Sequence, residues 1–234
     1  MIHIKKESKI LMMSRHQIRR MGFWSGIILV ILGLTYLGLI AAMILTGSGF
    51  PPIEPFQTLL NILVMITAAW MVFFWVILNQ AAPLERKLFS QASLALIVIF
   101  ATLTSTNRYI GLTVVRQSIT AGNTNGLEWF LPYGWPSITL AMEFLAWGIF
   151  FGLACICLAP VFLKGSLEHA IFWTLMITGF LSLMAAIGQI LGSNGLTFNL
   201  FTFAGVLGWG PGLTTAAALI VIWFRKANID SNEQ

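Results

Sequence analysis

The sequence predicts an all-α membrane protein, built as a bundle of six transmembrane helices. Two observations support this prediction. The 234 residues are 58% hydrophobic and only 9% charged, whereas soluble domains carry about 25% charged residues. Six apolar segments are each near the ~20 residues that a helix needs to cross ~30 Å of hydrocarbon. We therefore expect one transmembrane domain rather than a soluble fold with an anchor.

The predicted elements begin with a basic leader, residues 1–21, which contains six Lys and Arg residues. Its pattern fits either a basic amphipathic helix on the membrane surface or a solvated positive flank. We expect the leader to remain attached, because the apolar run after it is too long for a cleavable signal peptide. The predicted spans are 23–45, 59–78, 92–110, 138–160, 171–191 and 201–223, followed by a tail at 225–234.

The distribution of charge predicts the orientation of the chain. Eleven of the 13 Lys and Arg residues fall on the side of the leader, and only Arg108 and Arg116 fall on the other. The positive-inside rule then places both termini in the cytoplasm of a cell with an inner membrane. The net charge of +5 favours contact with anionic lipid headgroups, and no basic groove or aromatic ladder indicates nucleic acid. The expected partners are the bilayer and either a partner subunit or a second copy of the chain.

The sixth span contains an unusual run, GVLGWGPGLTTAAA, near the middle of the bilayer. Pro211 lacks a backbone donor and its ring clashes with the preceding turn, so a kink or break is expected. Broken helices at this depth expose backbone groups to a substrate or ion in transporters. The alternative is that Gly208 and Gly212, four residues apart, let a neighbouring helix approach closely.

Two charged residues, Arg108 and Glu143, are predicted within the outer half of the membrane. A charge at such a depth is costly, and it usually faces protein or water and has a partner. The helical rise of 1.5 Å per residue puts the two side chains within a few ångströms of each other in depth. We therefore expect them to meet between spans 3 and 4.

Polar and aromatic residues on the same helical faces extend this pair. Thr104 stands four residues before Arg108 and Trp147 stands four after Glu143, so each shares the face of its charge. Asn107 and Gln189 lie at compatible depths. The predicted ligand-binding residues are Arg108, Glu143, Asn107, Thr104, Trp147 and Gln189, around an outward-facing polar pocket.

The function of this pocket depends on the state of Glu143. An unpaired and desolvated carboxyl group would favour its neutral form and could carry a proton, whereas pairing with Arg108 would keep it ionised as a latch. A purely structural ion pair is the third interpretation. The sequence thus indicates a protein that binds or transports a small solute, ion or lipid. The alternatives are a non-catalytic membrane subunit of a larger complex and an intramembrane lipid-modifying enzyme.

Signatures of enzyme chemistry are scarce in the sequence. It has no HExxH motif, no serine nucleophile elbow and no P-loop. Cys155 and Cys157 are two residues apart on one predicted helix and point to different sides, which disfavours a disulfide or a metal pair. We therefore predict no catalytic residue, no metal and no cofactor, and we do not expect an enzyme.

Three short segments resemble a known group of proteins. They are Asn107-Arg108-Tyr109, the run from Glu143 to Gly148, and Pro160-Val161-Phe162. They resemble uncharacterised bacterial six-span integral membrane proteins that form a domain-of-unknown-function family, mainly over spans 3 to 6. The resemblance implies a bacterial cytoplasmic-membrane protein, and it implies no catalytic residues.

Overall fold

The computed structural model describes residues 14–48, 54–131, 137–192 and 196–232. Within these ranges every regular element is helical, and six helices are long and apolar enough to cross a membrane. The predicted fold class is therefore confirmed. The first thirteen residues of the basic leader and the last two of the tail lie outside the described residues.

Each of the six helices contains the corresponding predicted span. They are α1, Arg15–Leu45; α2, Phe56–Ala81; α3, Leu84–Thr120; α4, Ile138–Val161; α5, Ser166–Leu191; and α6, made of Leu196–Leu207, Gly208–Gly212 and Leu213–Asn232. The main difference is in α3, which continues beyond the predicted end at Ile110 because the turn-forming residues begin only at Ala121. A capping box between Ser14 and Gln17 starts α1.

Consecutive helices pack against each other, and α6 closes the bundle by packing against α1. The helix most buried inside the bundle is α4, and the least buried is α1. Large apolar side chains are exposed on all six helices, including Ile31, Ile66 and Trp173. In a chain that crosses a membrane these side chains face lipid, so the apolar surface is the expected outer wall of the bundle.

A buried hydrogen-bond relay joins α2, α3 and α4. The indole N–H of Trp75 donates to the hydroxyl of Ser93 at 2.8 Å, and that hydroxyl donates to the carbonyl oxygen of Ala154 at 2.6 Å. All three residues are buried. Because buried polar groups need partners, this relay also holds the three helices in register.

Small residues allow α4 and α5 to pack with their backbones close together. Gly148 and Gly152 form a GxxxG motif on α4, and their missing side chains make room for Ala186 and Gly179 on α5. A Cβ atom at Gly179 would lie 2.7 Å from the carbonyl oxygen of Gly152. The spacing of these glycines is visible in the sequence, and it is the signal that would have predicted this contact.

The glycine-rich segment of α6 was expected to contain a kink or break. Residues Gly208–Gly212 are π-helical with Pro211 inside, and the helix continues through them from Leu196 to Asn232 without a break. The close approach of a neighbouring helix is confirmed. A Cβ atom at Gly208 would lie 2.9 Å from the Ser182 hydroxyl, and one at Gly212 would lie 2.6 Å from the Thr178 hydroxyl.

Candidate functional site

The predicted contact between Arg108 and Glu143 is present. The guanidinium Nη2 atom of Arg108 on α3 forms an ion pair with Oε1 of Glu143 on α4. The other carboxylate oxygen, Oε2, accepts a hydrogen bond from Asn107 Nδ2 at 2.8 Å. The Arg108 and Glu143 side chains are only 12% and 20% exposed. Both carboxylate oxygens are therefore held from one helix, in a mostly desolvated position.

Hydrogen bonds from neighbouring elements fix the orientation of this pair. Asn107 also donates to the carbonyl oxygen of Thr139 at 3.0 Å, which ties α3 to the first turn of α4. Arg108 Nη1 donates to Asn61 Oδ1 on α2 at 3.4 Å. Gly111 leaves room for that asparagine, because a Cβ atom there would lie 3.0 Å from Asn61 Nδ2. The guanidinium is thus positioned from two sides.

The start of α4 places Glu143 one turn and a half inside the helix. Ser137 is the N-cap, and its hydroxyl accepts a hydrogen bond from the backbone N–H of Leu140 at 3.2 Å. The hydroxyl of Thr139 donates to the carbonyl oxygen of Phe130 at 2.9 Å. The described part of the connection before α4 is therefore anchored to the same turn that Asn107 contacts.

A small cavity borders the ion pair, with a volume of about 40 Å³. Its walls come from five helices: Leu32, Gly33 and Tyr36 of α1; Val64 and Thr67 of α2; Arg108 of α3; Glu143 and Trp147 of α4; and Trp209, Gly210, Leu213 and Thr214 of α6. The two charges of spans 3 and 4 therefore line a cavity, as predicted. Its wall also includes residues of α1, α2 and α6, which the prediction did not include.

Aromatic side chains form one wall of the cavity. Trp147 packs edge-to-face on Phe100, with ring centroids 4.6 Å apart, and lies 6.0 Å from the Trp209 ring. The Trp209 indole N–H donates to the backbone carbonyl oxygen of Trp147 at 3.0 Å. This hydrogen bond connects α6 to α4 directly beside the ion pair.

Three helices depart from α-helical hydrogen bonding near the site. The π-helical segments are Gly111–Val115 in α3, Phe144–Phe151 in α4 and Gly208–Gly212 in α6. The first two follow closely after Arg108 and Glu143, and the third contributes to the cavity wall. Such segments are rare and are concentrated at functional sites. The three π-helical segments therefore make the helices irregular in the region around the ion pair.

Several buried polar atoms near the pair make no hydrogen bond to the described residues. They are Trp147 Nε1, Asn107 Oδ1 and Thr104 Oγ1. Trp147, Asn107 and Thr104 are only 7%, 5% and 0% exposed. An unsatisfied buried polar group costs about 1–3 kcal/mol, so each such atom needs an explanation. Of the three residues, Trp147 lines the cavity.

The remaining predicted residues have different positions. Arg108, Glu143 and Trp147 line the cavity, and Asn107 supports Glu143 from behind. Thr104 is buried one turn away, and Gln189 on α5 has its amide atoms buried without a hydrogen bond to the described residues. Neither Thr104 nor Gln189 is part of the cavity wall, because α5 contributes no side chain to it.

Sequence reasoning missed the contributions of α1 and α6 to the site. Trp209 carried a detectable signal, since it is the one aromatic residue inside the glycine and proline run of the sixth span. Tyr36 and Thr214 carried none, because a tyrosine or threonine in an apolar helix has no distinctive spacing. Their roles follow only from the packing of α1 against α6.

Fold and site together define a class of protein. It is a polytopic, six-helix membrane protein with a largely buried ion pair beside a small cavity lined by five helices. No family model, curated protein or solved structure matches this chain.

Proposed function

We propose that this protein binds a small solute or ion in the cavity beside the ion pair and moves it across the membrane. The observation that carries the proposal is the position of the ion pair, which joins α3 to α4 and also lines a cavity between five helices. An ion pair in a membrane interior is costly, and charges at this depth usually serve a transport pathway. An ion pair with a purely structural role could equally well lie in a tightly packed helix interface with no cavity beside it.

The volume of the cavity limits the size of the ligand that it can hold. A volume of about 40 Å³ holds roughly three water molecules, since one water needs about 10–15 Å³ by the same measure. A lipid headgroup is much larger. Among the ligands considered from the sequence, the cavity favours a small solute or ion over a lipid.

The irregular helices support movement of this ligand. The π-helical segments of α3, α4 and α6 surround the ion pair, and helices bend most readily where their hydrogen-bond pattern is interrupted. A bundle with three such segments around the ion pair can open the cavity toward either side by small changes in helix direction. The ion pair then lies on the pathway of the ligand.

Replacement of Glu143 tests this function. In vesicles reconstituted with the purified protein, we expect uptake of one or more small ions or neutral solutes above the rate of protein-free vesicles. Glu143→Gln should change that uptake at least about tenfold, because the pair is broken without a change in side-chain volume. Glu54→Gln is the matched control, because it makes the same substitution in an exposed ion pair. Oε1 of Glu54 lies 4.0 Å from Nε of Arg116, and both side chains are exposed. Equal uptake by the Glu143→Gln variant and the unaltered protein would remove the site from the pathway.

The proposal also includes a place and an orientation. The charge distribution and the resemblance to bacterial six-span proteins support a bacterial cytoplasmic membrane with both termini inside. The connection between α3 and α4 would then be outside, and the connection between α4 and α5 would be inside.

Cysteine labelling in whole cells tests this orientation. Asn123 and Lys164 are exposed residues of those two connections. In a background with Cys155→Ala and Cys157→Ala, we expect Asn123→Cys to react with an impermeant maleimide in intact cells. Lys164→Cys should react only after permeabilisation. The reverse pattern of labelling would invert the proposed topology.

A further inference from the structure

The geometry points to a specific class of ligand: the cavity binds one small monovalent anion together with one proton, the proton on Glu143 and the anion on Arg108 and Trp147. This inference rests on the proposed function and names its substrate.

The net charge of Arg108 and Glu143 together can take only two values. A guanidinium cannot be deprotonated in a protein, so Arg108 contributes +1 at all times. Glu143 contributes −1 when ionised and zero when protonated. The pair is therefore neutral or positive, and it is never negative. A cation would always make this largely desolvated site positive, whereas an anion that enters with a proton leaves it neutral.

When the anion binds, it replaces the Glu143 carboxylate as the partner of Arg108, and the total charge of the site does not change. In the empty site, the Arg108 guanidinium pairs with Oε1 of Glu143. A proton from water binds to that oxygen, the ion pair is broken, and the anion takes the place of the carboxylate oxygen on the guanidinium. The filled site contains a cationic guanidinium, a neutral carboxyl group and an anion, so its total charge equals that of the empty site. Release reverses these steps.

One further residue of the cavity wall favours an anion. The Trp147 indole is a donor only, and its buried N–H makes no hydrogen bond to the described residues. An anion beside Arg108 would satisfy the indole N–H, which Glu143 leaves unpartnered in the empty state.

The groups that can titrate at the site are few. Among the described residues of the five helices that line the cavity, the charged or titratable side chains facing Glu143 are Arg108 of α3 and Tyr36 of α1. α2 and α6 contribute apolar, threonine, glycine and tryptophan residues there. A single proton should therefore be linked to each anion.

The test uses vesicles that contain the full-length protein and an internal pH dye, with equal pH on both sides. Sodium chloride is added outside against sodium gluconate inside, and nitrate replaces chloride in a second series. We expect the interior to acidify, with one proton entering for each anion. The rate should not change when potassium and valinomycin clamp the membrane potential, because the transported pair is neutral.

Two variants separate the roles of the residues. Glu143→Gln should move chloride without protons, and this flux should depend on membrane potential and lose its pH dependence. Trp147→Phe should weaken chloride binding roughly tenfold or more, by loss of one hydrogen bond to a charged ligand, while proton coupling is retained. Trp173→Phe, at an exposed position, is the matched control. The double variant Arg108→Gln/Glu143→Gln removes both charges without leaving one unpaired, and it should transport neither ion.

Three outcomes would contradict the inference in different ways. Uptake of sodium, potassium or a neutral solute without chloride or nitrate would overturn the anion and leave the proposed function standing. Chloride entry without protons in the unaltered protein would overturn the role of Glu143. The absence of uptake for every small ion and solute would overturn the proposed function itself.

Discussion

Glu143→Gln is expected to lower the free energy of unfolding by about 3–5 kcal/mol, the usual effect of removing one partner from a buried ion pair. The loss arises because Arg108 keeps its charge in a site where it is only 12% exposed. Arg108→Gln should have a smaller effect. A carboxyl group left without its partner can take up a proton and become neutral, whereas a guanidinium cannot lose one. Detergent-induced unfolding of the purified variants measures this difference.

The double variant completes the thermodynamic cycle. Arg108→Gln/Glu143→Gln should be more stable than Glu143→Gln alone, because two neutral amides can share the hydrogen bonds that Asn61 and Asn107 make to the pair. A coupling free energy of 0.5–3 kcal/mol is typical of residues in contact. Equal losses for the two single variants, with additive behaviour in the double variant, would show that the pair is not coupled.

Gly179→Leu is expected to destabilise the bundle by about 1–3 kcal/mol or more, in the range found for overpacked cores. The new Cβ atom would meet the backbone carbonyl oxygen of Gly152 at 2.7 Å. Backbone atoms cannot rotate away as a side chain can, so α4 and α5 must separate. That separation would also displace Trp147 and Glu143, which α4 carries into the cavity.

A glycine on the outer surface provides the control. Gly38 in α1 is exposed, and a Cβ atom there would have no other atom within 4 Å. Gly38→Leu should leave stability unchanged or raise it slightly, since leucine favours a helix over glycine by up to about 1 kcal/mol. Comparison of unfolding midpoints under the same detergent conditions tests both variants. A Gly179→Leu protein as stable as the Gly38→Leu protein would contradict the close packing of α4 and α5.

Whether a structural property could be predicted depends on whether a local stretch of sequence encodes it. Six spans could be predicted because each depends on a local run of apolar residues. The contact of Arg108 with Glu143 could be predicted from their similar depth together with the cost of leaving either charge unpaired in the membrane. The other helices that line the cavity could not. The rise of a helix gives the depth of a side chain in the membrane, but it does not identify the neighbouring helices.

Gln189 illustrates this limit. It lies at a depth compatible with the ion pair, but α5 faces α4 through Gly148 and Gly152 and contributes no side chain to the cavity. Tyr36 illustrates the opposite case. Nothing in its local sequence marks it, and the contact of α1 with α6 brings it to the site.

The amino-acid sequence by itself therefore determined that this chain is a six-helix membrane protein and that two opposite charges meet inside it. Those properties depend on hydrophobic runs and on the rise of a helix, which are local quantities. The tertiary structure alone decided that the charges border a cavity lined by five helices, one of which contributes a buried indole N–H without a hydrogen bond to the described residues. Helix neighbours are chosen by the packing of small residues and buried polar groups over the whole bundle, which no single segment encodes.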